Sequence, residues 1–269
     1  MKKILVILLI FSLSTFVLSD NEDNDDFNFT TEDVKKLQDL ISKVLPVIKD
    51  ILNEYKDVDS VEGQLIYDIL DRIYSVLDLL SPLLDKDPQT FMMAMVEVGA
   101  KLNKLKNYFQ EIVADVPIDS LLNAAFKIIF DKKFLKFLES AKDDFFYFLK
   151  KQMDEDDYMY YDIVYELYPY FINLLELDDF QEFIKKSVLI LLYNSEDHSH
   201  FSKEYDVQAL GKEVKQIYNE LKNNDNFKQI VVTITEDIID TFMTMFIDAV
   251  INNDFSIFHK DDDDSDDDY

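Results

Sequence analysis

Apolar residues recur at three- and four-residue steps through almost all of residues 31–258, and very little in that stretch can turn the chain sharply. The sequence has only three glycines and five prolines among 269 residues. Glycine supplies positive φ and proline a preset φ where chains turn tightly. A chain this poor in both cannot make the many short hairpins of an all-β fold. Apolar spacing of three and four puts one greasy stripe on a helix. The expected fold class is therefore all-α: about nine amphipathic helices in two related halves, with a hydrophobic cavity between them as the arrangement to look for.

The helix starts are legible. Thr30 or Thr31, followed by Glu32 and Asp33, is a capping signature. Val34, Leu37, Ile41, Val44, Leu45, Ile48, Leu52 and Tyr55 then form one stripe, which Pro46 is expected to bend. A second helix follows Ser60, and a third opens at Asp87 with Pro88 in its first turn. Pro117 breaks the pattern, and Asp119 is expected to cap a helix over 119–130. That helix is apolar nearly all round, so it should be surrounded by protein. Residues 132–152, 158–176, 179–193, 204–222 and 226–251 read as further helices, with a loop at 198–202. The β-branched run at 230–235 competes for strand. Phe227, Ile230, Val231, Ile234, Ile238 and Phe242 keep helical spacing there and favour helix.

The N-terminus bears on compartment. Lys2 and Lys3, an apolar run over 4–11 and small residues up to Ser19 read as a secretory signal peptide over 1–19. The apolar run is shorter than the roughly 20 residues a spanning helix needs, and no transmembrane segment is expected in the mature chain. Residues 20–30 form an acidic, disordered N-terminus. The helical domain covers 31–258, and 259–269 is an acidic, disordered tail. Asn28 begins a glycosylation sequon just ahead of the first helix. The expected location is extracellular. There is no cysteine, which excludes thiol nucleophiles and cysteine metal sites.

The net charge is −28, from 55 acidic and 27 basic residues. Residues 20–26 hold five carboxylates and 261–268 hold seven, but the body between them is acidic too. Phosphate backbones repel such a surface, which argues against nucleic-acid binding, and anionic head groups gain no long-range steering from it.

Phe91, Phe134, Phe180 and Phe227 each open a helix at a similar interval, and Gly99 and Gly211 precede the same apolar spacing. These echoes suggest approximate repeats at 31–115 and 116–225, with a final helix over 226–258. Ile48, Ile51, Tyr55, Asp59, Glu62, Gln64, Tyr67 and Leu70, then Tyr108, Phe109, Val116, Pro117, Asp119, Leu121, Phe134, Phe137, Leu138 and Phe145, give a pattern that resembles the insect allergen-related repeat. That family includes cockroach group-one allergens and mosquito midgut microvillar proteins. The resemblance covers most of 31–225 and rests on hydrophobic spacing. The family's proline–glutamate joint and the acidic residue after its glycine are missing, and the aspartate tail is outside the pattern. The resemblance implies helices wrapped round a large cavity that carries fatty acids or phospholipids.

Catalytic signatures are missing. No Gly-x-Ser-x-Gly elbow occurs, and three isolated glycines cannot make a phosphate loop. His198 and His200 would give a metal only two ligands on a polar loop, so neither metal nor cofactor is expected. Twenty-two phenylalanines and fifteen tyrosines are the larger signal. Phenylalanine lies on more than one face between 126 and 148. The candidate lining of an apolar site is Phe126, Ile129, Phe130, Phe134, Phe137, Leu138, Phe145 and Phe148. The expected function is non-enzymatic carriage or binding of lipids or fatty acids in an apolar helical cavity. The alternative is a secreted acidic interaction protein, of salivary, venom or effector type, that binds a basic protein partner.

Overall fold

A computed structural model describes residues 30–153 and 158–252. The segment 1–19, the Asn28 sequon and the tail 259–269 lie outside the described residues. The chain is all-α. Its helices are α1 (Thr31–Tyr55), α2 (Val61–Leu77), α3 (Pro88–Asp115), α4 (Ile118–Ile129), α5 (Lys132–Ser140), α6 (Lys142–Gln152), α7 (Tyr158–Leu175), α8 (Asp178–Ser195), α9 (Val207–Leu221) and α10 (Asp225–Asn252). Short 3-10 turns occupy Asp78–Leu83 and His198–His200. No strand occurs among the described residues.

The expected starts are built as the sequence implies. Asp33 N–H donates to Thr30 Oγ1 at 3.2 Å, and Thr30 N–H donates to Asp33 Oδ2 at 2.7 Å, closing a capping box on α1. Ser60 Oγ accepts from Gly63 N–H at 3.0 Å, and Asp87 Oδ1 from Thr90 N–H at 3.0 Å. Helix α1 runs through Pro46 without interruption. At 230–235 the backbone is helical, and Thr233 and Thr235 turn their hydroxyls back onto Gln229 O and Val231 O at 3.0 and 2.7 Å. That local bond is one way a helix accommodates such residues.

The tenth helix comes from a break inside 132–152, where one continuous helix was expected. Ala141, with φ −97° and ψ 2°, ends α5 and begins α6. Its N–H still reaches Phe137 O at 2.9 Å, and Ser140 Oγ donates to the same oxygen at 2.9 Å. Ala141 is buried, and the change of direction lets α5 pack on one face of α1 while α6 packs on another.

Two cores meet on α1. Leu40, Val44, Ile48, Ile51 and Leu52 pack with Leu65, Ile66, Ile69, Leu70 and Ile73 of α2, joined by Ala124, Phe137 and Ala141. Val34, Leu37, Ile41 and Leu45 pack with Leu80, Phe91, Met95, Val98 and Phe148. Polar ties reinforce the second arrangement. The buried Asp144 carboxylate accepts from Lys36 at 3.2 Å and Lys43 at 2.5 Å. Asp33 accepts from Tyr147 Oη at 2.7 Å and pairs with Lys151. Burial would raise the Asp33 carboxyl, but the hydrogen bonds from Lys151, Tyr147 and Thr30 outweigh it and hold it below the ordinary carboxylate range. Further along the chain, α9 lies along α8 and α10 along α7.

Two glycines on helices should respond oppositely to alanine. A Cβ on Gly63 would stand 2.3 Å from Val58 Cγ1 and 2.9 Å from Val58 Cβ, whereas one on Gly211 would meet nothing within 4 Å. Gly63→Ala should lose about 1–3 kcal/mol to overpacking. Gly211→Ala should gain about 0.5–1 kcal/mol in helix stability. Urea denaturation checks both, as a lowered and a raised midpoint.

Candidate functional site

Helix α4 packs against both α2 and α8. Pro117 stands at its N-cap position and makes no side-chain cap bond. The carboxylate expected to cap it, Asp119, is aimed elsewhere. It accepts from Ser202 N–H at 3.0 Å, from the Ser202 hydroxyl, and from Tyr205 Oη at 2.7 Å. The correction has a simple cause: the helix begins one residue earlier, at Ile118, so Asp119 lies inside its first turn and its carboxylate is free to take donors from the loop after α8. Asp119 is 4% exposed. Burial would raise its carboxyl, yet the Ser202 and Tyr205 hydrogen bonds hold it below its ordinary value. Tyr205 is driven upward by its burial and by Asp119.

An apolar cluster surrounds this latch. Ile118 of α4 packs with buried Tyr193 and Phe201. Tyr193 stacks on His198 with ring centres 4.0 Å apart and meets Phe201 edge-on at 4.9 Å. The stretch expected to be a solvated loop at 198–202 is thus pinned at Phe201 and Ser202. Among the described residues this is the one core cluster that joins α4 to α8. Beyond it, Phe126, Ile129 and Phe130 on α4 and Phe183, Ile184 and Val188 on α8 are only half-buried. Phe126 and Phe130 stack on each other at 5.1 Å.

The expectation that α4 is enclosed on every side therefore holds only for its first two turns, where Ile118, Leu122, Ala124 and Ala125 are buried. Lys127 is exposed, and the apolar residues of the last turn stay half-open.

The eight candidate lining residues do not form one set. Phe126, Ile129 and Phe130 share the end of α4. Phe137 is buried in the α1–α2 core, with Phe134 and Leu138 packed against it. Phe148 belongs to the other core, on α1, α3 and the 3-10 turn. Phe145 is 42% exposed. Its neighbour Phe146, absent from the candidate lining, is 1% exposed and sits against Tyr161, Tyr165 and Tyr168 at 5.6, 5.0 and 5.3 Å, all edge-on. The tyrosines carried the signal, since positions i, i+4 and i+7 form one stripe on α7. Tyr168 is pushed up to about 12 by burial and donates to Leu138 O at 3.1 Å.

This arrangement offers little for acid–base or nucleophilic work. Asp119 and Asp33 are satisfied by donors, and burial pushes the Tyr147, Tyr168 and Tyr205 hydroxyls above the ordinary tyrosine range. Among the described residues no group of three or more His, Asp or Glu side chains is placed to hold a metal ion. No described helix is long and apolar enough to cross a membrane. Compared with protein-family models, curated proteins and solved structures, the chain matches none.

A carboxyl held low favours folding while it is ionised, and that contribution fades as pH falls below about 4. Urea midpoints measured across a pH series should therefore drop on acidification. Asp119→Asn should cost about 1–3 kcal/mol at neutral pH through its unpaired donors, and its midpoint should vary less between about pH 5 and pH 2.

Proposed function

We propose that this chain is a secreted, non-enzymatic binding protein for apolar small molecules, fatty acids or phospholipids, and that the guest is taken at the junction of α4 with α8. The observation that carries the reading is the set of half-buried apolar side chains Phe126, Ile129 and Phe130 at the C-terminal end of α4. Phe126, Ile129 and Phe130 belong to none of the three cores, although the first two turns of the helix they close are buried. Apolar sites of this kind orient a guest with few polar groups, which suits an alkyl chain. The leader-like segment 1–19 supports secretion. The second reading, a basic protein partner, is favoured by a separate surface on α10.

A guest held by its alkyl chain leaves a length signature. Burial is worth about 0.8 kcal/mol per CH₂, so affinity should tighten about fourfold with each added methylene until the chain outgrows the site. Displacement of a dansyl-labelled fatty acid by saturated acids of increasing length measures this. Phe130→Ser should weaken binding roughly tenfold with little loss of stability, whereas Phe137→Ala should cost about 3–5 kcal/mol of stability. A flat length series, or a Phe130→Ser variant that binds as well as the parent, would discard the proposal.

A further inference from the structure

Helix α10 packs along α7 and brings Phe227 to 6.1 Å from Phe180, yet its outer face is apolar and open. Val232, Ile239, Met243 and Ile247 are 52%, 54%, 53% and 49% exposed. At 3.6 residues per turn these four fall within roughly 80° of arc and span about 22 Å of helix. Glu236 falls within the same arc, between Met243 and Ile247, and Asp240 lies at its edge; both are exposed and have no cation within ion-pair distance among the described residues. Lys228, at one end, is already paired with Asp225 at 3.1 Å.

We propose that this face of α10 is the docking surface for a basic amphipathic helix of a partner protein. An exposed apolar stripe spaced like one seam of a helix pair calls for a second apolar stripe. The unpaired carboxylates, one within the stripe and one at its edge, call for lysine or arginine on the occupant. Charge decides against the other occupants. A second copy would bring the same carboxylates and a net charge of −28 against their like, and an anionic lipid surface has the same sign. This surface is separate from the α4–α8 junction, so it stands whether or not that site takes lipid.

The test uses the whole chain and a labelled peptide of about 18 residues built from leucine and lysine with leucines at helical spacing. A scrambled peptide of the same composition is the control. Fluorescence anisotropy should show the amphipathic peptide binding at least roughly tenfold more tightly, and weakening as salt rises from about 50 to about 500 mM. The combined change Val232→Ser, Ile239→Ser and Met243→Ser should remove that preference, and Glu236→Gln with Asp240→Asn should flatten the salt dependence. Should the triple variant not fold by circular dichroism, the cysteine-free chain allows a single label. A fluorophore at Ile239→Cys should shift to the blue on peptide addition, while one at Lys215→Cys on α9 should not. Equal binding of both peptides, or no spectral shift at position 239, overturns the proposal. So does a dimer in sedimentation that the triple variant dissolves, or partition onto neutral phosphatidylcholine vesicles in preference to the peptide.

Discussion

Burial of α1 on two faces is the constraint from which the rest follows. One helix supplies Leu40, Val44, Ile48, Ile51 and Leu52 to one core and Val34, Leu37, Ile41 and Leu45 to another. The two sets share the same turns, so the helix cannot rotate to favour one without exposing the other. Its buried polar groups fix its position along the axis as well. Asp33 is held by Tyr147 and Lys151, and Gln38 donates to Leu83 O and Lys86 O at 3.4 and 3.0 Å. Satisfied buried groups of this kind discriminate strongly against misplaced registers, because each lost partner leaves a costly unpaired atom.

The second part of the chain is held differently. Its helices pair along their lengths, and a small cluster at Ile118, Tyr193 and Phe201, fastened by Asp119, joins α8 to α4. Among the described residues, nine large apolar side chains between 164 and 247 are exposed, against five between 61 and 145. Binding surfaces are drawn from the less tightly packed parts of a protein, and here the less packed part is also where apolar side chains face outward. The same economy of core explains both the open end of α4 and the bare face of α10.

Local signals were the legible part. Thr30, Ser60 and Asp87 each announced a helix because a cap is chemistry between near neighbours in sequence. The break at Ala141 was not legible, since alanine is the best helix former and only α1 packed on both sides explains a turn there. The candidate lining took Phe145 and left out its neighbour Phe146, because apolar spacing on several faces does not say which face meets α7. Asp119 was legible as a carboxylate near a helix start, but its donors lie some 83 residues away at Ser202. Of the candidate site, the all-round apolar character of 119–130 did nominate Phe126, Ile129 and Phe130. It could not separate them from Phe137 and Phe148, which differ only in the neighbours the fold gives them.

Charge sorts the two surfaces. Exposed charges are screened beyond about 8–10 Å at physiological salt, so a seated ligand feels its immediate neighbours more than the total of −28. From 127 to 151 the chain carries seven lysines and only four carboxylates, and Lys127 stands beside Phe126 on the open end of α4. Lys133 and Lys151 are already paired with Glu54 and Asp33, so at the proposed site a carboxylate head would meet chiefly the exposed Lys127. Helix α10 has the opposite surroundings, with Glu236 and Asp240 along its stripe and further aspartates in the sequence that follows. The two proposed surfaces thus differ in the charge beside them, Lys127 at one and Glu236 and Asp240 at the other, and that charge, more than the apolar area, would decide which guest each holds.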